Sequence, residues 1–229
     1  MSMAKTATKY KVIYDVDDVL WDLNGYVLRQ LGIPPERHVM YDVSQGPLLS
    51  ATERQDILAS FKDPAIFENI DFYPGADEIL AVEALGGEVY IHSNNFNSAI
   101  AEHKRRQLRQ LLPAMNPQRI NLSIINHSTN TKQLLEDVLI FIDDSPYNVA
   151  KSQALVNIMP NKCYNTYPSE AAKVVASGKV FVEGDYQEEL PSLLQADTRC
   201  VIRADNLLEI NQMIRNIILM KKEMMYAAK

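Results

Sequence analysis

The chain has 229 residues, 47% of them hydrophobic and 23% charged, with a formal net charge of −6 and a sequence pI near 5.3. That length suits one α/β domain, or one domain plus a small insert, and buries enough surface to fold without a disulfide or metal staple. The acidic balance argues against a nucleic-acid polymer as partner, and no run reaches the ~20 apolar residues that cross a bilayer. Cys163 and Cys200 form no CxxC pair and read as reduced thiols. The polar start, MSMAKTATKYK, has no apolar signal core, so a cytoplasmic location is expected.

Short apolar, β-branched runs alternate with helical patterns, the signature of a parallel sheet covered by helices. Strands are expected at Tyr10 to Tyr14, Glu88 to His92, Asn121 to Ile125 and Val138 to Ile142, then at Leu155 to Met159, Lys179 to Val182 and Arg199 to Ile202. Helices are expected over Ser98 to Leu112, over Ser169 to Ala176 with a Ser cap after Pro168, and over Asp205 to Tyr226 with Asp205 as cap. Between Leu20 and Phe72 about fifty residues carry helical patterns and no convincing strand, too many for a loop in a compact domain. Punctuated by Pro34-Pro35 and Gly46-Pro47, this stretch reads as a helical insert over 21–72 in a core formed by 1–20 and 73–229. Placed after the first strand, it would lie over the carboxyl end of the sheet, where open α/β sheets bind ligands.

Three strands end in groups that suit one chemistry. The first runs into Asp15-Val16-Asp17-Asp18, the second into Ser93-Asn94-Asn95 and the fourth into Asp143-Asp144, with Lys132 shortly before the fourth. Carboxylates gathered at one sheet edge repel unless a cation joins them. An all-oxygen donor set suits magnesium, and no His/Cys cluster suits zinc. Ser93, with the backbone N–H groups that follow it, suits an anion at a strand-to-helix turn, and Lys132 supplies a compact positive charge. An Asp carboxylate can attack phosphorus, and a second acid nearby can move the protons.

These residues resemble a known family. DVDDVL is similar to the first motif of the haloacid dehalogenase-like superfamily, IHSNN to its second, Lys132 to its third-motif lysine and LIFIDDS to its fourth. All four stand in the right order, and the insert falls where that family places a C1 cap. The resemblance implies a three-layer Rossmann-like α/β core with helices on both faces of a parallel sheet and a small helical cap. It implies Asp15 as nucleophile and metal ligand, and Asp17 as general acid/base with its backbone carbonyl on the metal. Ser93, Asn94 and Lys132 would bind the phosphoryl group. Asp144 would ligate Mg²⁺ directly, with Asp143 beside it. The presence of Asp17 favours hydrolysis of phosphate esters. YPGA before the second motif, and TK followed by LIFIDD, are similar to the 5′(3′)-deoxyribonucleotidase-like group, which implies a small phosphate ester such as a (deoxy)nucleoside monophosphate.

Other readings stand beside this one. A sugar phosphate or other small metabolite fits the same chemistry. A non-catalytic phosphate-binding regulator would keep the phosphorylated Asp without turnover, and a dead relative would lack a motif element. No G-x-G-x-x-G or P-loop is present. Asp18 reads as a helix-capping or solvent-facing acid, and Trp21 as either pocket lining or packing beneath the insert. Tyr41, Phe61 and Phe67 read as core of the insert. Arg37, His38 and Arg54 read as surface, His92 as packing near a strand end and His127 as a loop residue. The apolar C-terminal helix reads as core packing. A monomer or homodimer is expected, with no membrane contact.

Overall fold

The computed structural model describes residues 9–124, 137–166 and 168–227. Among them seven strands form one parallel sheet in the order β3-β2-β1-β4-β5-β7-β6. The strands are β1 (Tyr10–Tyr14), β2 (Gly87–Asn95), β3 (Ile120–Ile124), β4 (Val138–Ile142), β5 (Val156–Pro160), β6 (Val180–Phe181) and β7 (Cys200–Ala204). The helices are α1 (Leu23–Gln30), α2 (Ala51–Ser60), α3 (Ser98–Leu111), α4 (Pro146–Lys151), α5 (Pro168–Val175), α6 (Tyr186–Gln195) and α7 (Leu207–Ala227).

This is a doubly wound α/β fold, as the alternation of strand and helix patterns requires. Period-two alternation sends successive strand side chains to opposite faces. Ile13 and Phe141 face an apolar cluster with Val149 of α4 and Val174 of α5. Val12, Tyr14 and Ile142 face a larger one with Ile210 and Ile214 of α7. Helices therefore cover both faces of the sheet. The strand order reverses between β1 and β4, so the crevice at their carboxyl ends is the expected ligand position. None of the described helices is long and apolar enough to cross a membrane.

Three helix starts or helices differ from the sequence expectation. Asn206, not Asp205, caps α7, its Oδ1 accepting the Glu209 N–H at 2.9 Å. Helix α5 begins at Pro168, because proline's fixed φ and missing N–H suit a first helical position. Helix α6 carries Pro191 in its interior, a breaker that hides it from pattern reading.

Between β1 and β2 the chain leaves the sheet and returns beside itself. Tyr73 N–H donates to the Leu20 carbonyl at 2.8 Å, and Trp21 bridges Phe72. The intervening residues form α1, α2 and short 3₁₀ turns at Pro35–Arg37, Val43–Gln45 and Pro64–Glu68. Helix α2 opens with a capping box, in which Ser50 and Glu53 satisfy each other's backbone N–H groups. The stretch is apolar inside through Val27, Leu28, Ile57 and Phe67. His38 is buried rather than on the surface, its ring 4.9 Å from that of Tyr164.

Burial pushes the His38 imidazole down to about 4. The folded chain therefore holds it neutral, and the stability this gives is lost as pH falls from about 6.5 toward 4. His38→Phe keeps a ring against Tyr164 and is expected to remove that loss, at most about 3 kcal/mol. Urea denaturation at pH 4.5 and 7 checks this: an unchanged difference between the two would rule His38 out.

Candidate active site

Four chain segments converge at the carboxyl edge of the sheet. β1 ends at Tyr14, and the Asp15 N–H still pairs with the Ile142 carbonyl of β4 at 2.9 Å. That bond sets the first aspartate beside the two that follow β4. Carboxylate oxygens of Asp15, Asp143 and Asp144 lie within 4.8 Å of one another, and all three residues are buried. Each is oriented by neighbours. Asp15 Oδ1 accepts the Val16 N–H at 2.7 Å. Asp143 Oδ1 accepts the Ser145 N–H at 2.9 Å, and Asn148 Nδ2 spans both Asp143 oxygens at 3.1 Å. Asp144 Oδ2 accepts the Tyr164 hydroxyl at 2.8 Å, while Asn165 Nδ2 holds the Asp144 carbonyl at 2.9 Å.

Electrostatics mark this as a site under repulsion. Burial, then the charges of Asp18, Asp143 and Asp15, hold the Asp144 carboxyl well above the usual carboxylate range. Asp18 is buried as well, not solvent-facing, at a φ of 56°. Its carboxylate caps the start of α1, Oδ1 accepting the Asn24 N–H at 3.0 Å and Oδ2 the Asn24 side-chain amide. Burial pushes it up to about 6, against the opposing pull of Lys162 and Asn24.

The Asp17 carboxylate is not part of this group and has partners of its own. Its Oδ1 accepts the Trp21 indole N–H at 2.8 Å, and its Oδ2 meets Lys104 Nζ at 2.5 Å. Lys104 Nζ also lies 3.1 Å from Ser93 Oγ. So the structure joins Asp17 to Ser93 through a lysine that sequence reasoning passed over. A signal existed: Ile100, Lys104 and Leu108 follow one another at four-residue intervals, so Lys104 fills the gap in the buried stripe of α3. Lys132 and His127 lie outside the described residues.

A cavity of about 520 Å³ opens onto Asp15, Asp17, Asp144 and Asn94. Tyr41 lines it rather than forming the insert's core as expected, Phe61 lines it while also packing against the core, and Phe96 and Tyr147 line it too. Phe67 is buried, as expected of core. Trp21 packs rather than lining the cavity, its ring 5.9 Å from Phe67 and 5.4 Å from Phe72. Helix α5 adds Glu170 and Lys173, which pair at 2.8 Å, so the C-terminal third shapes this cavity. Arg37 is spent on Glu53 and the Leu48 carbonyl, and Arg54 on the Gly46 and Leu49 carbonyls.

No family model matches the chain, and no curated protein matches it. Among solved structures it is similar to a protein described as a haloacid dehalogenase-like hydrolase from Burkholderia xenovorans LB400, at 14% identity over 94% of this chain and 97% of that one, with a TM-score of 0.46. A haloacid dehalogenase-like family hydrolase from Streptococcus pneumoniae aligns at 13% identity over 88% and 96%, TM-score 0.47. A protein described as a beta-phosphoglucomutase from Bacteroides vulgatus aligns at 10% identity over 94% and 91%, TM-score 0.47. At these scores the likenesses carry no weight of their own. The sheet order and the geometry of the carboxylates do.

Proposed function

We propose that the chain is a magnesium-dependent phosphomonoesterase of the haloacid dehalogenase-like kind, working through an aspartyl phosphate on Asp15. One observation carries this reading. Three of the four carboxylates that the sequence motifs single out, Asp15 after β1 and Asp143 and Asp144 after β4, come within 4.8 Å of one another at the switch point of a parallel sheet. Three buried carboxylates with, among the described residues, no soft ligand beside them make a donor set that fits a hard cation. Asp15, Asp143 and Asp144 would hold magnesium, with the Asp17 backbone carbonyl. When bound, the cation offsets charge on the transferring phosphoryl group.

The chain's own residues do the rest. A phosphate monoester enters the cavity with its phosphoryl group at Ser93, Asn94 and Lys132. An Asp15 oxygen attacks phosphorus as the bond to the leaving oxygen breaks, and Asp17 gives that oxygen a proton. Asp17 then takes a proton from water, the water oxygen attacks phosphorus, and the Asp15 carboxylate and free phosphate are released. Residues 21–72 act as the cap over the core of 1–20 and 73–229, supplying Tyr41 and Phe61 to the leaving group.

The aromatic rings at the cavity, Tyr41, Phe61, Phe96 and Tyr147, favour a planar leaving group, and hence a (deoxy)nucleoside monophosphate. Phosphate release from deoxynucleoside, nucleoside and sugar monophosphates, with magnesium and with chelator, tests the reading. Magnesium-dependent release from nucleotides is expected. Release from sugar phosphates alone would keep the mechanism and replace the substrate. A long-lived phospho-Asp15 without turnover would replace the enzyme by a regulator.

A further inference from the structure

Lys104 is a buried charge that the proposed reaction leaves without a task. It stands mid-helix on α3 at 1% exposure, a position where lysine is rare unless paired. Its ammonium lies between the rings of Trp21 and Phe67, 5.7 and 5.3 Å from their centroids. Such faces attract a cation but do not replace its hydration. The remaining partners are Asp17 Oδ2 and Ser93 Oγ. An ion pair that only tied α3 to the β1 loop would be cheaper left in water, because desolvation offsets much of a buried pair's attraction. This pair is instead built around one carboxylate whose outer side meets the cavity. With Trp21 Nε1 on Oδ1 and Lys104 Nζ on Oδ2, both oxygens are held and the carboxylate plane is fixed. The third contact reaches Ser93, the hydroxyl assigned to the phosphoryl group.

We propose that Lys104 is a positioning residue, which fixes the Asp17 carboxylate against Trp21 and keeps it in register with the phosphoryl site at Ser93. The inference rests on the phosphatase reading, in which Asp17 moves the protons. It treats Lys104 as distinct from Lys132, whose place in the chain matches the motif lysine. Displacing a proton-transfer group by about 1 Å can cost on the order of 10²-fold in rate while leaving substrate binding intact. Lys104 touches Asp17 and Ser93, so its loss falls on the rate more than on affinity.

The test uses the full chain with p-nitrophenyl phosphate and magnesium, comparing wild type, Lys104→Met and Lys104→Arg. Lys104→Met is expected to lose about 10²-fold in kcat with KM within about threefold. Lys104→Arg keeps a cation against Asp17 and is expected to recover at least about tenfold of that loss. A folded Lys104→Met protein with kcat within about threefold of wild type would overturn the proposal and leave the phosphatase reading standing. Equal loss in both variants would also overturn it.

Absence of turnover in the wild type would instead count against the phosphatase reading. Lys104 is then decided by urea unfolding of Asp17→Asn, Lys104→Met and the double variant. Coupled costs, with the double variant no less stable than the worse single one, support a fixed pair, and additive costs overturn it. If Lys104→Met does not fold, Lys104→Gln takes its place in both measurements.

Discussion

Replacing Asp15 by Asn is expected to leave a folded protein whose phosphate release has fallen at least about 10³-fold, to the level of contamination. The amide is nearly isosteric with the carboxylate. Its Oδ1 can keep the 2.7 Å bond from the Val16 N–H, and the backbone bond from Asp15 to Ile142 is untouched. What disappears is the proposed nucleophile and one negative charge of three held within 4.8 Å. Loss of that charge relieves repulsion, so the metal-free variant should melt no lower than wild type. Steady-state kinetics, a melting curve and mass spectrometry for a phosphorylated Asp15 check the three parts together. A variant that keeps its turnover would remove Asp15 from the role of nucleophile.

Magnesium is expected to stabilise the protein more at pH 7.5 than at pH 5. Asp18 is pushed up to about 6 in the folded chain, against an ordinary value near 4, and Asp144 is likewise raised well above the ordinary carboxylate value. A carboxyl raised by folding binds its proton more tightly in the native state. Its contribution is fully present below about pH 4 and is lost as pH rises through the folded value. In the metal-free protein the acidic cluster therefore lowers stability on going from pH 5 to 7.5; His38 opposes this between pH 5 and about 6.5, but equally with and without magnesium, so it cancels from the magnesium-induced shift. A cation at Asp15, Asp143 and Asp144 reverses the cost. At a hundredfold excess over its Kd it adds about 2.7 kcal/mol, or roughly 5–10 °C in Tm for a chain of this size. Asp144→Asn should raise the metal-free Tm at pH 7.5 and abolish the magnesium response, with Asn Oδ1 still able to accept from Tyr164. Melting curves at both pH values, with magnesium and with chelator, decide it: an equal shift at both, or an Asp144→Asn protein that still responds, would remove these carboxylates from the cation site.

How far the sequence reached depended on range. The strands were legible because each is a short apolar run between polar breaks, and β1 and β4 fall where Tyr10–Tyr14 and Val138–Ile142 were expected. The meeting of Asp15 with Asp143 and Asp144 was legible too, since acids that end parallel strands share the sheet edge once those strands are neighbours. Helix α6 was hidden by Pro191, and the α7 cap went one residue astray because Asp205 and Asn206 are both good caps. What could not be read was long-range. Asp18 turns inward through a positive φ, which aspartate tolerates better than most residues but which no local pattern announces. His38 meets Tyr164 across most of the chain. Lys104 was concealed by its type, because a lysine among charged neighbours reads as surface even where the helical stripe places it inside.

The bond from Trp21 to Asp17 also makes the protein its own optical probe. Trp21 is the only tryptophan in the chain, and its indole N–H is bound to the carboxylate assigned to proton transfer. Its ring lies beside the Lys104 ammonium and on Phe67, so charge, hydrogen bonding and packing at this point all act on one chromophore. Intrinsic emission therefore follows Asp17 without label, coupled enzyme or knowledge of the natural substrate. Magnesium, inorganic phosphate and whole metabolite libraries can be titrated against the same signal.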